Sequence, residues 1–187
     1  MSPLDDEDRL IAAQIAGGQK ELFRLLIKRH ERAVYGMGLG FFRNAEDASD
    51  FSQEGFLKVY RNLSGFEGRS RFSTWLYKIA YNTAINSITR KKEYQSLAED
   101  EHAGSGDNPE QKLLRSLACD ALLEAIKELP ERFRICVDLY FFYERSYMEI
   151  EAITGFPVNT VKSHLFRAKK ILREKLADYA AITGADR

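Results

Sequence analysis

The sequence predicts an all-α protein made of two small helical domains joined by a flexible acidic linker, with a helix-turn-helix in the C-terminal domain. Three observations support this prediction. Apolar residues recur at steps of three and four, whereas sustained strand alternation and Asn-Gly or Asp-Gly hairpin signals are missing. An acidic stretch of small residues interrupts this periodicity in mid-chain. A short helical segment, a glycine-containing turn and a longer basic helix follow near the C-terminus.

Four helices are predicted before the interruption, at about 5–16, 19–41, 45–62 and 70–92. The second carries a long apolar stripe at helical spacing: Phe23, Ile27, His30, Val34, Met37 and Phe41. Ser70 or Ser73 can cap the fourth helix. The inner face of that helix is predicted to hold Leu76, Ile79, Ala80 and Thr83.

The periodicity ends from Glu93 to Asn108, where acidic and small residues dominate. We interpret this stretch as a linker, because loops beyond about 12–15 residues are uncommon within one compact domain. The predicted boundaries are a first domain over 1–92, a linker over 93–112 and a second domain over 113–187. Asn108 and Pro109 predict the start of a fifth helix, and a sixth is expected from Glu131 to about Phe142.

Ser146 and Glu149 have the spacing of a capping box, which predicts a short helix that ends at Gly155. The last helix is predicted from Asn159 or Thr160 to about Tyr179. Its inward residues on a helical wheel are Val161, Leu165, Ala168, Leu172 and Leu176, and its outward residues are Lys162, Ser163, Phe166, Arg167 and Lys170. An outward Phe among cations favours DNA binding, because Phe can contact a thymine methyl while Lys and Arg bond guanine edges and phosphates. A solvated amphipathic helix is the alternative.

Two further surfaces lie in the first domain. Charged residues share one side of the third helix: Asp47, Asp50, Glu54 and Arg61. Gln53 borders this side, and Lys58 lies four residues after Glu54, a favourable spacing for an ion pair. A docking face for a protein partner, a solvated helix face and a carboxylate-based enzyme site are the interpretations that this pattern leaves open. The second surface mixes aromatic and basic residues from Phe66 to Asn82, which is typical of single-stranded nucleic acid binding. Tyr77, Lys78 and Tyr81 are expected to face outward, and Phe72 and Trp75 to be mainly buried.

The composition excludes several classes of protein. Lys plus Arg and Asp plus Glu both number 28, so a globally basic nucleic-acid coat is excluded. No apolar run approaches the roughly 20 residues that cross a bilayer, and the acidic N-terminus has no apolar signal region. Cys119 and Cys136 form no CxxC pair and are expected to pack in the core. We therefore expect a soluble cytoplasmic protein without a bound metal or cofactor.

Several stretches, in this order, resemble the extracytoplasmic-function (ECF) group of bacterial sigma factors: 50–60, 72–82, 129–134, 146–150 and 160–168. The resemblance implies a non-catalytic, exchangeable subunit of RNA polymerase. Such a subunit binds core polymerase, recognises the −10 and −35 promoter elements and helps to melt the DNA. An anti-sigma factor typically holds it inactive. Without the resemblance, an ordinary helix-turn-helix regulator and an enzyme that uses the third-helix carboxylates are the competing hypotheses.

The resemblance also implies site residues. The core-polymerase contacts are Asp47, Asp50, Phe51, Gln53, Glu54 and Lys58. The contacts to the downstream element, as a melted non-template strand, are Asn62, Phe66, Arg69, Arg71, Trp75, Tyr77, Lys78, Tyr81 and Asn82. The contacts to the upstream duplex element are Thr160, Lys162, Ser163, His164, Phe166, Arg167 and Lys170. His164 stands where the family frequently has Arg.

Overall fold

The computed structural model describes residues 3–95 and 121–183. Every regular element in these two ranges is helical, so the predicted all-α class is confirmed. The described residues divide into an N-terminal and a C-terminal compact unit. The predicted linker beyond residue 95, the start of the predicted fifth helix and Cys119 lie outside the described residues.

The N-terminal unit contains α1 (Pro3–Ala16), a 3-10 turn (Lys20–Leu22), α2 (Phe23–Phe42), α3 (Ala45–Asn62), a second 3-10 turn (Leu63–Gly65) and α4 (Phe72–Gln95). All four predicted helices are present. Helix α4 continues three residues past its predicted end, so Glu93–Gln95 are helical.

Caps at the two ends of a short connection allow α2 and α3 to pack along each other. Arg43 has a left-handed backbone, with φ of 59°, and its N–H bonds to the Leu39 carbonyl. Asn44 is extended, and its side-chain oxygen accepts the Asp47 N–H at 2.7 Å.

The serine cap predicted for α4 is wrong. Trp75 N–H bonds the Arg71 carbonyl at 3.2 Å, and Ser73 is buried inside the first turn.

Helix α4 packs against α1, α2 and α3 and has no single apolar face. Its fully buried residues include Phe72, Leu76, Ala80 and Ala84. Tyr77 and Tyr81, predicted to face outward, are only 5% and 8% exposed. The wheel prediction was wrong for these two tyrosines because a helix with three neighbours is buried around most of its circumference.

The C-terminal unit contains α5 (121–127), α6 (Glu131–Val137), a π-helical turn (Asp138–Phe142), α7 (Tyr147–Thr154) and α8 (Val158–Thr183). The capping box is confirmed, since Ser146 Oγ accepts the Glu149 N–H and Glu149 accepts the Ser146 N–H at 3.0 Å. Gly155, with φ of 78°, makes the turn between α7 and α8. The apolar core of this unit includes Leu129, Ile135, Leu139, Ile150, Val161, Leu165 and Ala168.

Two buried helix glycines provide a test of the α2–α3 packing. A Cβ added at Gly38 would lie 2.7 Å from Phe51 Cδ1 and 3.0 Å from Ala48 Cα, whereas one at Gly55 would meet only Val34 at 3.8 Å. We expect Gly38→Ala to lower the free energy of unfolding by about 1–3 kcal/mol through overpacking. We expect Gly55→Ala to raise it by up to about 1 kcal/mol through helix propensity. Urea denaturation followed by Trp75 fluorescence measures both, and equal effects would contradict the described packing.

Candidate protein- and nucleic-acid-binding surfaces

The predicted docking face on α3 is exposed in part. Asp50 and Gln53 are exposed, and Glu54 forms an ion pair with Lys58 at 2.6 Å. Asp47 accepts a hydrogen bond from the Asn44 side chain at 2.8 Å, so its carboxylate takes part in the helix cap. Phe51 is only 3% exposed and packs its ring against Phe42, which removes it from the predicted contacts. The face therefore consists of Asp50, Gln53, Glu54 and Lys58.

An apolar groove of about 700 Å³ lies beside this face, between α2 and α3. Phe23 and Tyr60 form an edge-to-face ring pair in it, with centroids 5.0 Å apart, and Leu57 is half exposed. Gln53 lines the groove and also belongs to the polar face. The remaining lining residues are Lys20, Glu21, Arg24, Ile27, Glu31, Ser52 and Phe56. This apolar part of the surface was not predicted from the sequence, although Leu57 on the outer side of α3 was a signal for it.

The aromatic loop before α4 (66–71) is anchored by ring contacts. Phe66 is half-buried, and its ring centroid lies 5.4 Å from that of Phe72 and 5.3 Å from that of Trp75. Trp75 is also half-buried, which leaves part of its indole accessible. Both predicted loop arginines have acidic partners. Arg69 pairs with Glu67 at 2.6 Å, and Arg71 Nε lies 3.4 Å from Asp5.

On α4, the exposed predicted contacts are Lys78 and Asn82. Tyr77 points instead toward His30, with ring centroids 6.5 Å apart, and Tyr81 packs against Phe41 at 5.9 Å. Neither tyrosine offers a face for a base in this arrangement. Asn62 is exposed at the end of α3, where its side chain donates to the Lys58 carbonyl at 2.8 Å.

A buried charge network attaches α1 to α2. Asp8 accepts a hydrogen bond from Arg29 at 2.8 Å and contacts His30 Nε2 at 2.7 Å. Burial acts to raise the pKa of Asp8, but the hydrogen bonds and charges of His30 and Arg29 together outweigh it, so its pKa lies below 3.8. Glu7 also pairs with Arg29, at 2.5 Å. This network was not predicted from the sequence, and it holds α1 against α2.

The outward face of α8 has the predicted composition. Lys162, Phe166, Arg167 and Lys170 are exposed, with Phe166 72% exposed, and Ser163 and Thr160 are half-buried. The Lys162 ammonium lies 5.7 Å from the centroid of the Tyr147 ring. Tyr147 in turn stacks on Tyr140, with centroids 5.2 Å apart. This aromatic support for Lys162 had no clear signal in the sequence.

His164 is the predicted α8 contact that the structure moves to the core. It is 8% exposed and lies between the rings of Phe133 and Phe156, at 5.1 and 5.2 Å. Its Nδ1 is 3.7 Å from the Sγ of buried Cys136. Burial lowers the pKa of His164 below 6.5, and the charges of Arg132 and Arg167 lower it further. Burial also raises the pKa of Cys136 to about 12, so its thiol is unreactive.

In the ranges 3–95 and 121–183, no three His, Cys, Asp or Glu side chains are grouped as ligands for one metal ion. No helix within these ranges is long and apolar enough to cross a membrane.

Family models match both units. Sigma-70 region 2 matches residues 26–94, and Sigma-70 region 4 matches residues 119–172. The RNA polymerase sigma-H factor of Pseudomonas aeruginosa is 34% identical over 182 residues, which is 91% of this chain and 94% of that protein. The ECF RNA polymerase sigma-E factor of Haemophilus influenzae is 34% identical over 180 residues, 90% of this chain and 95% of that protein. The chain is an ECF sigma factor.

Solved structures have the same fold as this sigma factor. RpoE of Bartonella quintana, solved in complex with the anti-sigma factor NepR, has a TM-score of 0.70 and 24% identity, covering 83% of this chain and 96% of that one. CnrH in complex with the cytosolic domain of CnrY has a TM-score of 0.63 and 23% identity, covering 96% and 99%. As a member of this non-catalytic family, the sigma factor binds core RNA polymerase, recognises promoter DNA at the −10 and −35 elements and promotes melting.

The buried His164 makes the stability of the C-terminal unit depend on pH. Because its folded pKa is lowered, its neutral form contributes stability that is present above about pH 6.5 and is lost as pH falls through the folded pKa. Asp138 in the same unit has the opposite effect on the pH dependence of stability, because burial raises its pKa to about 6. We therefore expect the wild type to lose stability relative to His164→Phe as the pH is lowered from about 8 to about 5.5.

Thermal unfolding of the full chain followed by circular dichroism measures this difference. Trp75, the single tryptophan, reports the N-terminal unit, so a transition without a fluorescence change belongs to the C-terminal unit. Because Asp138 is present in both proteins, its contribution cancels in the comparison. A stability difference that stays constant across this pH range would contradict the buried, neutral His164.

Proposed function

We propose that the two units recognise the two promoter elements separately. The N-terminal unit, predicted over 1–92, holds core polymerase and the melted downstream element. The C-terminal unit, predicted over 113–187, reads the upstream element in duplex DNA. The observation that carries this division is the outward face of α8, where an exposed Phe166 stands among exposed cations. An apolar ring gains nothing from water but can contact a thymine methyl in a major groove.

Core polymerase is proposed to bind at the acidic face of α3 together with the adjoining groove. Asp50 and Glu54 supply negative charge, and the groove supplies an apolar surface that includes Leu57 and Tyr60. A coiled coil of the polymerase's largest subunit, the partner implied by the family, can place one helix along such a groove. Gln53 lies where the polar face of α3 meets the apolar groove, so it is placed to contact polymerase bound at both parts of the surface.

The melted non-template strand is proposed to bind across the aromatic loop and the exposed residues of α4. Phe66 and Trp75 offer partly exposed rings, and Lys78 and Asn82 face solvent on α4. A base must leave the duplex stack before a protein can enclose it, at a cost of a few kcal/mol, so the loop has to compensate by stacking and hydrogen bonding. The buried Tyr77 and Tyr81 then serve to shape this surface from below.

The remaining proposals concern regulation, location and chemistry. RpoE and CnrH were both solved with a bound protein, and RpoE's partner is an anti-sigma factor. The shared fold supports the proposal that an anti-sigma factor also holds this chain inactive. We further propose that the chain acts in the cytoplasm, where polymerase and promoter DNA are found, and that it has no enzymatic activity of its own.

The polymerase-docking proposal predicts a specific loss of binding. Replacing Asp50 and Glu54 by Ala removes two carboxylates from the partner surface while leaving the α8 face unchanged. We expect at least about tenfold weaker binding to core polymerase, because truncating one partner of a charge pair that becomes buried in an interface typically costs about 2 kcal/mol or more. Binding is measured by fluorescence anisotropy of labelled protein titrated with core enzyme. Asp6→Ala, an exposed acid on α1, is the control that should leave binding unchanged. Full binding by the double variant would contradict this surface.

The upstream proposal predicts a change of sequence preference. Arg167→Ala removes an exposed guanidinium from the outward face of α8. We expect the free energy of binding to the upstream element to weaken by about 1–3 kcal/mol, and the selectivity for base sequence in that element to relax. Run-off transcription from promoters with single base changes in that element measures both effects. Lys127→Ala, which removes an exposed cation of the same unit on α5, should leave selectivity intact. Unchanged selectivity in the Arg167 variant would remove this residue from the readout.

A further inference from the structure

The aromatic loop needs cations to bind DNA phosphates, yet its own arginines have carboxylate partners. Arg69 forms an ion pair with Glu67 on the same loop, at 2.6 Å. Arg71 lies beside Asp5 of α1, at 3.4 Å, and the Asp5 carboxylate is mostly buried. A cation paired with a carboxylate gains less from a phosphate, because the existing pair has to be broken or shared. The loop therefore has a smaller net positive charge than its sequence suggests.

Helix α1 brings a third guanidinium to this loop. A Cβ built on Gly68 would lie 2.9 Å from Arg9 Nη2 and 3.2 Å from Arg9 Nε, so the Arg9 side chain lies directly over the Gly68 backbone. Gly68 has a left-handed backbone with φ of 68°, and its missing side chain gives the guanidinium its space. Within residues 3–95 and 121–183, the described ion pairs include none that involves Arg9. Its side chain is half-buried, so part of it reaches solvent.

The position of Arg9 is fixed by the packing of α1. Asp8, the preceding residue, is held by Arg29 and His30 of α2 at 2.8 and 2.7 Å. Asp5, one turn earlier, contacts Arg71 at the end of the loop. These pairs fix the turn of α1 that leads into Arg9. They also engage Asp5 and Asp8, two α1 carboxylates that would otherwise compete with DNA for the charge of Arg9.

We propose that Arg9 is a further nucleic-acid contact, a cation that α1 presents over Gly68 to bind a backbone phosphate of the melted strand. The proposal rests on the proposed function of the aromatic loop and deepens it, since it adds a residue from a different helix to the same surface. A phosphate is the ligand that suits an arginine beside a backbone turn, because the guanidinium binds two of its oxygens at once. Arg9 thus contributes affinity and position, and the loop aromatics contribute base recognition.

The experiment measures binding of holoenzyme to single-stranded DNA at several salt concentrations. The probe is a fluorescein-labelled non-template strand that carries the downstream element of a promoter transcribed by the wild-type holoenzyme. We expect Arg9→Gln to bind it about 3- to 10-fold more weakly, as for net loss of one hydrogen bond of ordinary strength at a solvent-accessible site. The slope of log affinity against log salt should fall by about 0.7, which corresponds to one phosphate on a single strand.

Two matched variants separate charge from packing. Arg9→Lys keeps the cation and should restore most of the salt slope. Lys28→Gln removes an exposed cation on α2 and should change neither affinity nor slope. Thermal unfolding of each variant checks that α1 stays folded. Weaker binding by Arg9→Gln with an unchanged slope and no rescue by Lys would mean that Arg9 only braces the loop, and it would overturn the proposal.

Phe66→Ala distinguishes this inference from the function on which it rests. If Phe66→Ala weakens binding of the strand while Arg9→Gln binds like wild type, the loop binds DNA and the role of Arg9 is refuted. If neither variant changes binding, the proposed function of the loop fails, and the inference about Arg9 fails with it. Loss of binding in both variants, with a reduced salt slope only for Arg9→Gln, is the result that the proposal requires.

Discussion

The burial of α4 against three neighbouring helices determines which chemistry the N-terminal unit can present. Phe72, Leu76 and Ala80 lie in its core, and Tyr77 and Tyr81 fill the remaining sides. Little of the surface of α4 is exposed to solvent, and the exposed strip includes Lys78 and Asn82. Recognition groups must therefore come from the loop that precedes the helix. A rigid, buried helix beneath a short loop suits base capture, because a fixed loop loses little conformational entropy when a base binds.

The charge network on α1 extends this rigidity to the loop. A buried carboxylate such as Asp8 is stable only when it is paired and hydrogen-bonded, and Arg29 and His30 meet that requirement. Asp5 joins the same helix to Arg71 at the end of the loop. Consequently α1 takes part in the loop's geometry although it contributes no aromatic residue to it. Removing one partner from such a network leaves a buried charge unpaired, which costs more than the net energy of the pair.

Sequence periodicity predicted most of the fold, but it predicted the exposure of site residues only on some helices. Helices with one buried side, such as α3 and α8, have a clear apolar stripe, and the exposed positions of Asp50 and Phe166 were predicted correctly. Helix α4 has several buried sides, so the wheel misplaced Tyr77 and Tyr81. His164 was assigned by family position, but its ring is enclosed by Phe133 and Phe156 from other segments. No sequence pattern marked Arg9 as a site residue, because its proposed role depends on its contact with Gly68, which is distant in the sequence.

The charges of both proposed DNA surfaces are partly neutralised by the protein itself. Lys170 has Glu174 at 4.0 Å on α8, and Arg69 has Glu67 on the aromatic loop. Since non-specific DNA affinity grows with the number of phosphates that cations neutralise, such pairs keep each surface weak on its own. Two weak surfaces held together on polymerase gain from effective concentration only at sites where both elements are present. The reduced positive charge of each surface thus favours binding to promoters over non-specific binding to other DNA. This is consistent with a chain whose formal net charge is zero.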